Sequence, residues 1–170
     1  MKNIKKIVFL ALLIALEVVL TRFLSITTPI VRIGFGFLPI ALAGIFLGPV
    51  YGMLAGALSD LLGFFLFPQG TYFPGFTLTA ALRGLIFGLV HTGRKVTFNR
   101  TFISSALTTI ICDLFLNTIW LHLLYGNAYA LMLVPRLIKA GLMIPISMFL
   151  ILASWKATGS FLRSRLPRLI

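Results

Sequence analysis

Acidic residues are almost absent from this sequence. Its 170 residues include 3 Asp and Glu against 15 Lys and Arg, and charged residues of both signs make up only 11% of the chain. Hydrophobic residues make up 59%, which is well above their share in soluble globular proteins. The composition therefore excludes an ordinary soluble domain and predicts an integral membrane protein.

The sequence also lacks the motifs of several enzyme and metal-site classes. It contains no Walker lysine loop, no HExxH or GxSxG motif and no cluster of His and Cys residues. We therefore predict a chain that is not an enzyme, holds no metal or cofactor and does not hydrolyse ATP. The single cysteine, Cys112, excludes an internal disulfide. The net charge of +12 has no soluble basic domain to carry it, so nucleic acid is not an expected partner.

Apolar segments divide the chain into six predicted transmembrane helices, which form one domain over residues 1–170. The predicted spans cover residues 7–25, 37–47, 50–67, 77–90, 102–124 and 129–153. Gly48 and Pro49 predict a tight turn between the second and third spans. Because about 20 apolar residues cross a bilayer, six spans with short loops use the whole length. The predicted fold class is an all-α integral membrane protein.

Basic residues outside the spans define the predicted orientation. With six spans, ten of them lie on one side of the membrane: Lys2, Lys5, Lys6, Arg94, Lys95, Arg100, Lys156, Arg163, Arg165 and Arg168. Because cytoplasmic loops carry an excess of Lys and Arg, both termini are predicted to be cytoplasmic. The loops at 26–36, 68–76 and 125–128 are then external, and the chain is expected to be a multi-pass protein of the bacterial plasma membrane.

Seven charged side chains fall inside the predicted spans, where a charge is costly unless it faces a cavity or a partner. They are the acids Glu17, Asp60 and Asp113 and the bases Arg22, Arg83, Arg136 and Lys139. The three arginines lie about five to seven residues from the external ends of their helices, in the outer half of the membrane. Arg32 lies nearby in the first external loop. Guanidinium groups bind carboxylates and phosphates bidentately, so a pocket for an anionic ligand is predicted.

Helical phase indicates which side chains share that pocket. At 100° per residue, Asp113, Asn117 and Trp120 lie within about 60° of arc, with His122 on the opposite face. Asp60 shares a face with Phe64, and Arg83 shares one with Phe76 and Thr79. Carboxylates beside aromatic rings suit a flat, nitrogen-rich heterocycle. Ordinary helix packing with an internal Asp–Arg pair is the alternative reading of the same residues.

Small residues four positions apart predict close contacts between helices. The pairs are Ala11 with Ala15, Gly44 with Gly48, Gly52 with Gly56, and Gly84 with Gly88. The alanine pair lies near the cytoplasmic end of the first span, where a partner subunit has access. Arg22 falls on the same helical stripe as this pair, so a bend near Thr21 is expected if Arg22 faces the pocket and the alanines face a partner.

These motifs together resemble a known transporter family. Ala11-x-x-x-Ala15, RIGFGFLPI at 32–40, Gly48-Pro49-x-x-Gly52 and Asp60-x-x-Gly63 are similar to the substrate-binding S components of energy-coupling factor (ECF) vitamin transporters, and most similar to the folate-specific members. The resemblance covers essentially the whole chain. It implies six helices, external loops one and three that gate the vitamin, and no enzymatic activity.

The resemblance also implies partners and a ligand. The expected partners are a membrane T component facing Ala11 and Ala15, two cytoplasmic ATPases that use the ATP, and the surrounding lipid bilayer. The expected ligand is folate, whose pterin ring and glutamate tail suit the pocket. The predicted substrate-binding residues are Arg22, Arg32, Asp60, Phe64, Tyr72, Phe73, Arg83, Asp113, Asn117, Trp120, Arg136 and Lys139.

Three alternatives stay open from the sequence. The first is an S component for another anionic vitamin such as pantothenate, which needs the arginines but no stacking surface. The second is a membrane-embedded enzyme acting on lipid, with Asp60, Asp113 and His122 as catalytic groups, although the opposed faces of Asp113 and His122 argue against it. The third is a structural or assembly subunit that binds no ligand.

Overall fold

The computed structural model describes residues 2–27, 32–68, 71–126 and 129–165 of the chain. Side chains are described for residues 4–25, 34–68, 71–124, 126 and 135–157. Within these ranges the fold is a bundle of six helices, which confirms the predicted all-α membrane fold.

The helices begin and end within about five residues of the predicted spans, except that the last helix continues to Arg165 where the predicted span ends at Ala153. They are α1 (Lys2–Arg22), α2 (Phe37–Leu47), α3 (Pro49–Leu66), α4 (Pro74–His91), α5 over residues 98–125, and α6 (Tyr129–Arg165). The bounds of α2 equal the predicted ones, and the ends of α3 lie one residue from theirs. A short antiparallel hairpin of β1 (Ser25–Thr27) and β2 (Arg32–Gly34) follows α1 and was not predicted.

Judged by length and composition alone, three of the described helices are long and apolar enough to cross a membrane: Pro49–Leu66, Phe98–Leu124 and Pro135–Ala157. The helix α2 is apolar but has only 11 residues, or roughly 16 Å against a hydrocarbon thickness of about 30 Å. The helix α1 carries lysines at one end and Glu17 and Arg22 near the other. Short or charged helices of this kind fit a bundle with a polar interior.

Glycine residues bring α2, α3 and α4 into backbone contact. We call Gly44 of α2, Gly52 and Gly56 of α3, and Gly84 and Gly88 of α4 the glycine seam. A Cβ atom on Gly44 would lie 2.8 Å from the carbonyl oxygen of Gly84, and one on Gly52 would lie 2.8 Å from the Cα of Gly44. Real Cβ atoms do not lie this close to other heavy atoms, so a side chain at either position would force the helices apart. The predicted close contacts are therefore confirmed at the glycine seam. Gly48 has φ of 102°, which forms the predicted turn into α3.

Apolar packing closes the half of the bundle that is predicted to be cytoplasmic. One cluster joins α1, α2 and α3 through Leu10, Leu13, Ile14, Leu42, Ala43, Phe46, Leu47 and Ala55. The Trp155 ring on α6 stacks on Phe46 with ring centroids 5.0 Å apart, and Phe9 meets the same ring edge-on. The helix α6 is thereby anchored to the N-terminal helices at the end of the bundle farthest from the external loops.

The helix α5 changes its winding in the middle. It consists of an α-helix at Phe98–Leu107, a π-helix at Thr108–Leu116 and a second α-helix at Asn117–Tyr125. At the end of the π-helix, the backbone N–H of Asn117 donates to the carbonyl of Cys112, five residues earlier. The 100° phase rule used for the sequence prediction fails through this segment, because a π-helix has more residues per turn.

Candidate functional site

A cavity of about 650 Å³ lies between the N-terminal helices and the α5–α6 pair. All six helices contribute to its lining, with Glu17, Ile40, Asp60, Arg83, Asp113 and Arg136 as one residue from each in chain order. The hairpin contributes Ser25 and Gly34. Small-molecule sites measure roughly 300–1,000 Å³, so the cavity suits a ligand of drug or vitamin size.

The structure brings most of the predicted binding residues together around this cavity. Ten of the twelve line it: Arg22, Asp60, Phe64, Tyr72, Phe73, Arg83, Asp113, Asn117, Arg136 and Lys139. Trp120 stands behind the lining. The side chain of Arg32 lies outside the described residues, so its predicted role stays a prediction. His122 does not line the cavity.

Charges of both signs face the cavity. All three acids of the chain line it, together with Arg22, Arg83, Arg136 and Lys139. Arg83 and Asp113 form an ion pair, with 2.5 Å between Nη2 and Oδ1. Their side chains are 19% and 25% exposed. The internal Asp–Arg pair therefore exists, and both members remain accessible from the cavity.

Asp113 organises two arginines at once. Its carboxylate accepts from Arg83 and from the side-chain amide of Asn117, at 3.3 Å. Its backbone carbonyl accepts from Nη1 of Arg136 at 3.1 Å, and the same nitrogen donates to the Thr118 hydroxyl at 2.8 Å. Asp113 lies in the π-helix of α5, so this irregular segment contacts arginines of both α4 and α6.

Aromatic rings form the part of the lining near the external loops. Phe64 and Tyr72 lie with ring centroids 5.0 Å apart. The Tyr72 hydroxyl is 3.2 Å from the Thr77 hydroxyl, which donates to Oδ2 of Asp60 at 2.7 Å. Two hydrogen bonds, both made by the Thr77 hydroxyl, thus link the aromatic surface to the carboxylate of Asp60.

Trp120 supports the lining from behind. Its ring lies 5.5 Å from the Phe73 ring, and its Nε1 donates to the Thr79 hydroxyl at 3.0 Å. A Cβ on Gly75 would lie 2.6 Å from Trp120 Cδ2, so Gly75 leaves the space that the indole occupies. Trp120 therefore contacts two of the lining residues, and its direct binding of the ligand stays a prediction.

Arg22 reaches the cavity without separating from the alanine stripe. The helix α1 continues through Arg22, and the side chain crosses α3 at Gly63, where a Cβ would lie 3.0 Å from its Nε. Ala11 and Ala15 remain exposed on the outer face of α1. The length of the arginine side chain and the missing side chain at Gly63 explain how one stripe serves both surfaces.

Several lining residues were not among the predicted binding residues. They include Glu17, Thr21, Phe37, Ile40, Phe76, Thr79, Phe87, Thr108, Thr109, Met143 and Ser147. Glu17 carried a signal, since an acid within an apolar span indicates a functional site. Phe76 and Thr79 were predicted to share a face with Arg83. The apolar and hydroxyl side chains carried no sequence signal of a binding site, because such residues are common on every face of a membrane helix.

Comparisons with known proteins agree with this architecture. The family model of the ECF transporter substrate-specific component matches residues 5–154. A folate transporter FolT of Clostridium novyi (strain NT) is 44% identical over 156 residues, covering 92% of this chain and 91% of that protein. A FolT of Leuconostoc mesenteroides is 33% identical over 148 residues, covering 84% and 80%.

A solved structure has the same fold. The crystal structure of FolT bound with folic acid superposes with a TM-score of 0.80 at 37% identity, covering 85% of this chain and 88% of that one. The family match spans most of the chain and agrees with the motifs, the six helices and the cavity. This chain belongs to the family of ECF transporter substrate-specific components.

Proposed function

We propose that this chain is the folate-binding subunit of an ECF-type importer in the bacterial plasma membrane. One observation carries the proposal: a single cavity of about 650 Å³ joins aromatic rings and carboxylates to four cationic side chains. The similar proteins of known name are folate transporters, and the similar solved structure contains folic acid.

The chemistry of folate matches this lining. Folate joins a flat pterin ring, which has several N–H donors along one edge, to an aminobenzoyl linker and a glutamate with two carboxylates. Carboxylates accept from such donors, aromatic rings stack on the ring faces, and guanidinium groups pair with the tail. Pantothenate, the alternative vitamin, has a carboxylate but no ring for the Phe64 and Tyr72 surface.

The chain acts as a binding protein and not as an enzyme. The lipid-enzyme alternative required His122 beside Asp60 and Asp113, yet His122 does not line the cavity that contains the two acids. Energy for transport is supplied by ATP that partner subunits hydrolyse. The chain itself uses no cofactor.

The function is tested by isothermal titration of the purified protein in detergent. Folate should bind with a stoichiometry of one, in the absence of any partner subunit, and pantothenate should give no heat. Heat with pantothenate and none with folate would overturn the vitamin assignment. The absence of heat with either, for a protein that is folded and monodisperse, would favour a subunit without a ligand.

We also propose a membrane T component and two cytoplasmic ATPases as partners, with contact made through the outer face of α1. Ala11 and Ala15 are exposed on that face. Small residues spaced in this way allow the backbone of another helix to approach closely. Leu10, Leu13 and Ile14 turn inward instead, so the alanines do not serve the packing of the bundle.

Ala15→Trp should therefore abolish folate uptake by cells that carry the whole complex, while folate affinity of the purified subunit changes by less than about twofold. Ala153→Trp is the matched control, because Ala153 is also exposed, on α6. Normal uptake by Ala15→Trp would place the interface elsewhere. Loss of both uptake and binding would mean that Ala15 is needed for the fold.

A further inference from the structure

The loop between α4 and α5 concentrates positive charge at one end of the bundle. Arg94 and Lys95 are exposed in this loop, and the half-buried Arg100 follows in the first turn of α5. Nη1 of Arg100 donates to the backbone carbonyl of Lys95 at 3.2 Å, so its guanidinium group lies against the loop. We call Arg94, Lys95 and Arg100 the basic loop.

No Asp or Glu side chain of this chain balances the charge of the basic loop. The chain has only 3 Asp and Glu residues, and all of them line the cavity, whereas the basic loop does not. By comparison, the ammonium group of Lys6 lies over the Tyr51 ring, 5.8 Å from its centroid, and so has an aromatic contact within the chain. The basic loop therefore presents a net positive charge to its surroundings.

The helix that follows the basic loop turns apolar rings outward. Phe98 is 61% exposed and Phe102 is 48% exposed, whereas Thr101 and Ser105 of the same helix are fully buried. Because Phe98 and Phe102 are four residues apart, they share one outward face, about 6 Å long along the axis. On a membrane-spanning helix this face meets lipid acyl chains. Lys95, three residues before Phe98, then lies at the depth of the lipid headgroups.

We infer that the basic loop binds the headgroup of an anionic phospholipid, whose acyl chains lie against Phe98 and Phe102. Guanidinium and ammonium groups pair with phosphate, and apolar side chains beside basic ones are typical of surfaces that bind anionic membranes. An acidic segment of another protein would meet the charges alone, whereas a lipid meets both the charges and the adjacent rings. The inference concerns a surface outside the cavity, so it does not depend on the identity of the vitamin.

Native mass spectrometry of the full-length purified protein tests the inference. The protein in detergent is mixed with equal amounts of phosphatidylglycerol and phosphatidylcholine that have the same acyl chains, and the two lipids are compared in the species that retains one lipid. The natural protein should prefer phosphatidylglycerol. Arg94→Gln combined with Lys95→Gln should lower this preference by about tenfold or more, because each basic side chain near an anionic lipid surface contributes roughly a factor of five.

Lys5→Gln combined with Lys156→Gln is the matched control. It removes the same number of charges from exposed positions on α1 and α6, and the preference should stay within about twofold of the natural one. Size-exclusion chromatography and thermal unfolding show whether each variant is folded. If the first pair folds poorly, Arg94→Gln alone gives the same test, with an expected loss of about fivefold. An equal loss in both pairs would show that only net charge matters and would overturn the inference.

Two soluble competitors separate a lipid from other anions. Glycerol 3-phosphate has the headgroup chemistry without acyl chains, and polyglutamate represents an acidic protein segment. Neither should displace phosphatidylglycerol from the natural protein, because neither covers the rings of Phe98 and Phe102. Displacement by glycerol 3-phosphate would identify a site for a soluble phosphate, and displacement by polyglutamate would identify a surface for an acidic partner. Either displacement, or equal retention of the two lipids by the natural protein, would overturn the inference.

Discussion

The helix α4 presents two surfaces that are opposites in chemistry. On one, Gly84 and Gly88 of the glycine seam touch the backbones of α2 and α3 with no side chain between them. On the other, Phe76, Thr79 and Arg83 line the cavity. Arg83 and Gly84 are adjacent in sequence yet belong to different surfaces. The backbone of α4 that carries these lining side chains is therefore held by close contact with α2 and α3 on its other face.

The two surfaces are sensitive to opposite changes. In a membrane, helix association depends on close van der Waals contact, since lipid is as apolar as the side chains. Substitutions that add side-chain atoms at the glycine seam therefore disrupt the packing of α2, α3 and α4. The cavity wall has space but depends on charge and hydrogen bonding, so it fails when polar groups are removed.

The largest effect is expected from Gly84→Val. A side chain at this position would overlap the backbone of Gly52, which the helices can relieve only by moving apart, at a cost of about 3 kcal/mol or more. Size-exclusion chromatography after extraction should show little monodisperse protein. Gly141→Val is the control, because a Cβ there meets no atom within 4 Å. Normal folding of Gly84→Val would show that the seam tolerates separation.

The next effect concerns the cavity wall. Arg83→Ala should lower folate affinity by about 10- to 100-fold, because a charge-assisted contact worth roughly 1.5–3 kcal/mol is lost. The loss also leaves Asp113 without its ion-pair partner, so the melting temperature should fall. Titration calorimetry and thermal unfolding measure the two effects.

A second variant separates these two effects. Arg83→Ala combined with Asp113→Ala removes both charges and should recover part of the melting temperature without recovering affinity. Full folate affinity in folded Arg83→Ala would mean that Arg83 serves only the ion pair with Asp113. The cations available to the ligand would then be Arg22, Arg136 and Lys139.

The smallest effect is expected behind the wall. Trp120→Phe keeps an aromatic ring against Phe73 but removes the hydrogen bond to Thr79, which is worth about 1 kcal/mol and corresponds to roughly a fivefold faster folate release. Stopped-flow displacement measures the rate. Trp155→Phe, at the far end of the bundle, should release folate at the natural rate. An unchanged rate for Trp120→Phe would show that the indole fills space only.

Sequence reasoning predicted the seam and the membership of the wall well, for physical reasons. Glycines four residues apart in a membrane helix usually mark a close contact with another helix. An ionisable residue within a span usually faces a cavity or a charged partner. The positions of Gly52 and Gly84, and of Asp60 and Arg83, therefore followed from residue type and spacing.

Pairing within the wall could not be predicted in the same way. Whether Arg83 meets Asp60 or Asp113 depends on the rotation of each helix about its axis, and periodicity within one helix does not report this. The π-helix at Thr108–Leu116 changes that rotation for every later residue of α5. The indirect position of Trp120 is consistent with this change, since its predicted phase assumed an unbroken α-helix.

The position of Trp120 beside Phe73, with the two ring planes tilted by 46°, has an optical consequence. The chain has two tryptophans, one beside the cavity and the other stacked on Phe46 at the opposite end of the bundle. Their emission therefore samples two separate environments in the same molecule. A chromophore that enters the cavity should quench the first far more than the second, so the Trp155→Phe protein should serve as a label-free fluorescent sensor of occupancy.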